Sequence, residues 1–257
     1  MCAIIFGTRP EIIKFATIIH EIQHRNNLDM LIIHTGQHYD YKMSEIFIEE
    51  LGLPKPDFNL EIGSGSHSYQ TAIAMLKIEK ILLKEAPDIV LVQGDTNSTL
   101  AGALAATKLN IPLGHVESGC RSFDRTMPEE INRILVDHCS DFLFVSTESK
   151  KLNLLKEGLA EDKIFVSGDT LIDFLFKVDK IIEEDIKKDI YGVLTIHRVK
   201  STEKETLTEI FEGINSTDLK IFFPIHPRTQ KKINEMFIQI PKNVVVLQPL
   251  SYFEFLK

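Results

Sequence analysis

Short, almost continuous apolar runs alternate with amphipathic helical stretches along most of this chain, and that alternation limits the folds open to it. The segment Ile89-Val90-Leu91-Val92 is apolar at every position, as a strand covered on both faces must be. Comparable β-rich runs occur at Cys2–Thr8, Asp29–Thr35, Asp88–Gly94, Ile111–Glu117, Asp141–Ser146 and Lys163–Ser167. Between them, Pro10–Gln23, Ser66–Lys84, Asn97–Lys108 and Pro128–His138 follow the helical period. Parallel strands need crossover connections, and a helix supplies one. The pattern predicts an α/β fold built on a doubly wound parallel sheet.

Past Gly168 a helical stretch runs from Thr170 to about Glu184, and then the alternation restarts. New strands are expected at Ile190–Ile196, Leu219–Ile225 and Asn243–Leu247, with helices near Glu203–Gly213 and Thr229–Phe237. Two Rossmann-like domains follow, residues 1–168 and 169–257. The second is short for a doubly wound domain, which usually needs about 150 residues. The last run, Ser251-Tyr252-Phe253-Glu254-Phe255-Leu256-Lys257, reads as a helix begun and cut off. The chain is therefore expected to be truncated and its second domain incomplete.

Composition narrows the partners. With 29 Lys+Arg against 37 Asp+Glu, the net charge is −8, which makes nucleic acid a poor partner because duplex affinity rests on neutralised phosphates. No apolar run approaches the ~18 residues of a membrane span. The opening Met1-Cys2-Ala3-Ile4-Ile5-Phe6-Gly7 reads as a first strand, not a leader. Cys2, Cys120 and Cys139 are odd in number and lack metal-ligand spacing, which argues against a disulfide framework or a zinc site and fits a reducing cytoplasm.

In open α/β sheets, ligands bind beyond the carboxyl ends of the strands, and the unusual residues of this chain collect there. The first strand runs into Gly7-Thr8-Arg9-Pro10-Glu11, with Lys14 a turn later. A helix start bearing two cations suits an anion, although a plain strand-to-helix turn with solvated charges has the same composition. His34-Thr35-Gly36-Gln37-His38 carries two histidines, but a third ligand is missing, so loop polarity explains them better than a metal. Gly94-Asp95-Thr96-Asn97-Ser98-Thr99 holds more polar residues than one helix cap requires. His115-Val116-Glu117-Ser118-Gly119 sets a carboxylate at a strand end. In Pro128-Glu129-Glu130-Ile131-Asn132-Arg133 the i,i+4 spacing suggests a Glu129–Arg133 ion pair on one helix face. His197-Arg198 and His226-Pro227-Arg228 repeat the placement of cations after strands. Cations in both domains suggest a diphosphate-bearing ligand.

In these blocks the sequence closely resembles the non-hydrolysing UDP-N-acetylglucosamine 2-epimerases. The matching segments are Gly7-Thr8-Arg9-Pro10-Glu11 with Lys14, Thr35-Gly36-Gln37-His38, Gln93-Gly94-Asp95-Thr96, His115-Val116-Glu117-Ser118-Gly119, Pro128-Glu129-Glu130-Ile131-Asn132-Arg133 and His197-Arg198, in family order. The resemblance implies a glycosyltransferase-B-like pair of Rossmann-type domains, with UDP-sugar as partner, a homodimer, and neither metal nor nicotinamide cofactor. The implied reaction interconverts UDP-N-acetylglucosamine and UDP-N-acetylmannosamine through elimination of UDP to a 2-acetamidoglucal and its re-addition. Carried over by position, Lys14, Asp95, Glu117, Glu129 and His197 match catalytic residues, and Arg9, Arg133, His226 and Arg228 match substrate-binding ones.

Three departures stand against that pattern. Val199-Lys200-Ser201 replaces an acid usual after His-Arg, although Ser201 can cap the next helix. Tyr39-Asp40-Tyr41-Lys42 differs from the run that serves an activating site in many bacterial members. The family's Asp-Ser-Gly-Gly loop is absent from the sequence. Two alternatives stay open. One is the hydrolysing branch, which releases free N-acetylmannosamine and usually lacks the Thr-Arg-Pro-Glu opening. The other is a homologue that binds without turnover.

Overall fold

A computed structural model of the chain describes residues 1–25, 27–37, 47–182, 190–196, 200–250 and 252–256. Two compact units emerge, Met1–Val178 and Asp179–Lys257. The first is organised around β1 (Cys2–Phe6), β2 (Met30–His34), β3 (Phe58–Asn59), β4 (Ile89–Gln93), β5 (Leu113–Val116), β6 (Phe142–Val145) and β7 (Ile164–Val166). These form one parallel sheet in the order β3-β2-β1-β4-β5-β6-β7. Because the order reverses between β1 and β4, their carboxyl ends flank the crevice where such sheets take ligands.

Residues of β1 alternate between two covered faces. Ala3 and Ile5 join Leu31, Ile33, Val90 and Val92 in one apolar cluster with Ile78 and Leu82, whereas Phe6 packs on Phe15, with ring centroids 6.3 Å apart. The helices are α1 (Arg9–His24), α2 (His67–Glu85), α3 (Asn97–Lys108), α4 (Pro128–Cys139), α5 (Glu148–Lys156) and α6 (Thr170–Ile182). Several start on a hydroxyl cap: Ser66, Thr96 and Thr147 accept the N–H groups of Tyr69, Thr99 and Lys150. Helix α2 ends at Ala86, whose φ of +47° breaks the helical path. Nearly all of α3 is buried, and its Ala and Gly residues let it lie close against the sheet.

The short β3 and helix α5 were not anticipated from the sequence, since neither has a long apolar period. Helix α6 begins on the first unit, where Phe174 is buried and the Thr170 carbonyl accepts from the Thr17 hydroxyl. For that reason the division between the units falls inside this helix.

In the second unit β8 (Tyr191–Val193), β9 (Lys220–Pro224) and β10 (Val244–Leu247) pair in parallel in the order β10-β9-β8. Helices α7 (Lys204–Asn215) and α8 (Pro227–Glu235) cover it, and a short α9 (Tyr252–Leu256) follows. Ile196, Leu207, Phe211, Ile221, Phe223, Ile225, Ile233 and Val244 make its separate core. Glu203 occupies the N-cap of α7, and Ser201 lies in the preceding 3-10 turn, so the expected Ser201 cap does not form. No helix among the described residues is long and apolar enough to cross a membrane.

Candidate active site

The site of the first unit is assembled at the carboxyl ends of β1, β4 and β5. Gly7, after β1, is where three loops converge: a Cβ there would lie 2.1 Å from Ser98 Oγ and 2.2 Å from Thr35 Oγ1, so only glycine fits. One turn on, Glu11 is 3% exposed. Its Oε2 accepts from the N–H groups of Gly7 and Thr8 at 2.9 and 2.8 Å and from the Thr8 hydroxyl at 2.8 Å. The hydroxyls of Thr96 and Thr99 reach Oε1 at 2.8 and 2.9 Å. Burial pushes this carboxyl upward, and the donors oppose it. Glu11 thereby ties the loop carrying Arg9 to the loop carrying Asp95. In the sequence Glu11 stands only within the Gly7–Glu11 block, and the signal that marks it is the Thr-x-x-Glu capping box.

Lys14 projects from α1 and its Nζ donates to Glu117 Oε2 at 2.5 Å, each side chain being 24% exposed. Glu117 itself has φ +68°, a costly backbone for a residue with a Cβ, of the kind that collects at functional sites. Its Oε2 would stand 3.8 Å from a Cβ on Gly94, so the bare Gly94 leaves room beside it. Arg133 reaches from α4 to Asp95, with Nη2 donating to Oδ2 at 2.5 Å, and lies 3.4 Å from Glu130. The expected Glu129–Arg133 side-chain pair is therefore corrected: the guanidinium turns inward to Asp95 and Glu130, and only its Nε meets the Glu129 backbone carbonyl. The reason is energetic, since an exposed i,i+4 pair is worth only tenths of a kcal/mol and the half-buried Asp95 offers a better counter-charge.

Asp95 stands among these groups. Burial raises its carboxyl above the usual range, Arg133 opposes the rise, Glu117 and Glu129 add to it, and Lys14 opposes it again. Three carboxylates and two cations thus share one small region, with Glu129 exposed in the first turn of α4. Arg9, the first residue of α1, lies over the Phe47 ring, 5.6 Å from its centroid.

Helix α4 presents polar residues to the interior: Glu130, Asn132 and Asp137 are buried. Glu130 accepts from Ser122 N, Ser122 Oγ and Phe123 N, and Asn132 donates to the Asp95 carbonyl at 2.9 Å. None of these residues had been singled out. Asp137 carried a usable signal, because an acid in the last turn of a helix opposes the helix dipole and needs a partner. In the second unit, His226 caps α8 and its Nδ1 accepts from Arg228 N at 3.2 Å, and both side chains are exposed. His38, His197 and Arg198 lie outside the described residues.

A doubly wound sheet with acids paired to bases at its switch point puts the candidate site where α/β proteins of this class take their ligands. Comparison with known proteins gives the family. The family model described as UDP-N-acetylglucosamine 2-epimerase matches residues 20–257. The UDP-N-acetylglucosamine 2-epimerase of Methanocaldococcus jannaschii is 50% identical, over 99% of this chain and 74% of the relative. A UDP-2,3-diacetamido-2,3-dideoxy-D-glucuronate 2-epimerase of Pseudomonas aeruginosa is 42% identical, over 97% of this chain and 73% of that protein. The solved M. jannaschii UDP-GlcNAc 2-epimerase, in complex with UDP-GlcNAc and UDP, superposes with a TM-score of 0.91 at 49% identity, covering 99% of this chain and 75% of that one. This chain belongs to the UDP-N-acetylglucosamine 2-epimerase family.

Proposed function

We propose that the protein interconverts UDP-N-acetylglucosamine and UDP-N-acetylmannosamine, with Asp95, Glu117 and Glu129 as its acid-base groups. The observation that carries the reading is the gathering of these carboxylates beside Lys14 and Arg133. The chemistry needs such a gathering. The C2 proton of an N-acetylhexosamine is not next to a carbonyl, so enolisation cannot acidify it. In elimination, one carboxylate takes the C2 proton, the C–H electron pair becomes the C1=C2 double bond, and the C1–O bond breaks with its electrons going to UDP. Re-addition of UDP, with a proton delivered to the opposite face of C2, gives the epimer. Positive groups must meet the charge that grows on the departing diphosphate. Arg9, Lys14 and, by family position, His197 are assigned to that charge, and His226 and Arg228 to binding the nucleotide.

The test is to run the protein with UDP-N-acetylglucosamine in deuterated water and follow it by NMR. Deuterium should enter C2 of both the manno product and recovered substrate. Retention of the original C2 hydrogen through many turnovers would rule out solvent-exchanging carboxylates, and release of free N-acetylmannosamine with UDP would move the protein to the hydrolysing branch. A homodimer and a cytoplasmic location belong to the same reading, and sedimentation and fractionation test them.

A further inference from the structure

A cluster of charges lies buried beneath the proposed catalytic loops and takes no part in the chemistry above. His115 and Asp137 side chains are 0% exposed, and that of Arg121 is 1% exposed. His115 Nε2 donates to the Gly94 carbonyl at 2.8 Å, since a carbonyl only accepts. Its Nδ1 meets Asp137 Oδ1 at 2.6 Å. Asp137 Oδ2 accepts from Gly119 N at 3.2 Å and Arg121 Nη1 at 2.7 Å. Arg121 then forks onto Glu157 through Nε and Nη2, both at 2.7 Å.

Stability alone is a poor reason for such a cluster. Taking charges out of water is expensive, and apolar residues of similar size commonly do as well or better. What the cluster touches is more informative. The β4–β5 ladder closes with Gln93 opposite Val116 and a last bond from Gly94 N to the Val116 carbonyl. Past that point the two strand ends separate into the loops that hold Asp95 and Glu117. His115 grips the carbonyl just before Asp95, and Asp137 grips the N–H two residues after Glu117. Gly119 is seated tightly as well, with φ +74° and the Lys150 carbonyl 2.5 Å from where a Cβ would be.

We infer that Asp137 and His115 are positioning residues that set the spacing of Asp95 and Glu117 by clamping the backbone on either side of them. The inference rests on the acid-base roles proposed for those carboxylates. Displacing a reacting group by about 1 Å can cost on the order of 10² in rate, which is the size of effect expected.

The experiment compares the unsubstituted protein with Asp137→Asn and His115→Gln, each with UDP-N-acetylglucosamine, with sites counted by titration with UDP. Asp137→Asn should lower kcat per UDP-binding site by roughly 10²-fold while KM moves by less than about threefold. His115→Gln should behave alike, and the double variant should lose no more than the worse single one, because both act through one clamp. An unchanged kcat per site with only a lower Tm overturns the inference. So does a fall in UDP affinity that matches the fall in rate. Failure of both variants to fold also overturns it, by making the cluster a requirement for folding. The unsubstituted protein guards the underlying reading: absence of C2 deuterium there removes the epimerase assignment, whereas exchange there with a normal variant removes the clamp alone.

Discussion

Glu117 is where the proposed function and stability can be set against each other most directly. Its φ of +68° is a conformation that glycine adopts freely, and the strain is of order 1–3 kcal/mol. Glu117→Gly should therefore leave stability to urea within about 1 kcal/mol of the unsubstituted protein, or raise it, while lowering turnover by about 10² or more. A rate near normal would show that Lys14 holds Glu117 for structural reasons only. Arg133 offers a pH-based test. It is the larger of the two cationic influences that hold Asp95 down against burial, so Arg133→Gln should move the acid limb of the kcat/KM profile to higher pH. An unmoved limb would mean that Asp95 does not titrate in the reaction. Glu130 links pH to stability. Burial would raise it, but the N–H groups of Ser122 and Phe123, the Ser122 hydroxyl and Arg133 hold it below the usual range. A carboxyl with a lowered folded value binds its proton more readily when unfolded. Its contribution is complete well above the unfolded value of about 4.3 and is lost as pH falls from there through the lowered folded value. Urea unfolding from pH 7 downward should show that loss. Glu130→Gln should start lower by about 1.5–3 kcal/mol and show a flatter dependence on pH.

Helix α3 is the element whose packing reaches the site. Gly102 on its inner face would place a Cβ 3.1 Å from both Ile5 Cδ1 and Val92 Cγ1. Gly102→Val should cost about 1–3 kcal/mol in denaturant unfolding, as overpacked cores do. Turnover should fall too, because the cap of α3 carries Thr96 and Thr99, whose hydroxyls hold Glu11. Loss of stability without loss of rate would show that the helix start is uncoupled from its middle. Helix α4 teaches the complementary lesson. Its sequence reads as an ordinary surface helix with charges in solvent, yet Glu130, Asn132 and Asp137 are buried. The helical period was legible, but which polar residues face inward depended on strand ends distant in sequence.

At the scale of the whole molecule each unit has a core of its own, with Ile5, Ile33 and Val92 in the first and Phe211, Phe223 and Ile221 in the second. Unfolding should accordingly occur in two steps. Phe211 is 3% exposed and meets Phe223 edge-on at 6.3 Å. Phe211→Ala should weaken the second unit by about 3–5 kcal/mol. Hydrogen exchange should accelerate in β8, β9 and β10 and leave β1 and β4 protected. Equal acceleration in both sheets would show a single cooperative structure.

The parallel architecture and the location of the site at strand ends could be argued from the sequence, because apolar periods and strand-end motifs are local and depend on residues a few positions apart. Lys14, Asp95 and Glu117 could be picked out as candidates for the same reason, each sitting in a short block after a strand or at a helix start. The charge partners could not be found that way. Arg133 chooses Asp95 across 38 residues, and Lys14 chooses Glu117 across 103. His115 and Asp137, 22 residues apart, meet in the interior. Such pairings are settled by which side chains the packed sheet and helices exclude from water together. A buried charge must find a partner at whatever sequence distance the fold provides, and that choice belongs to the tertiary structure alone.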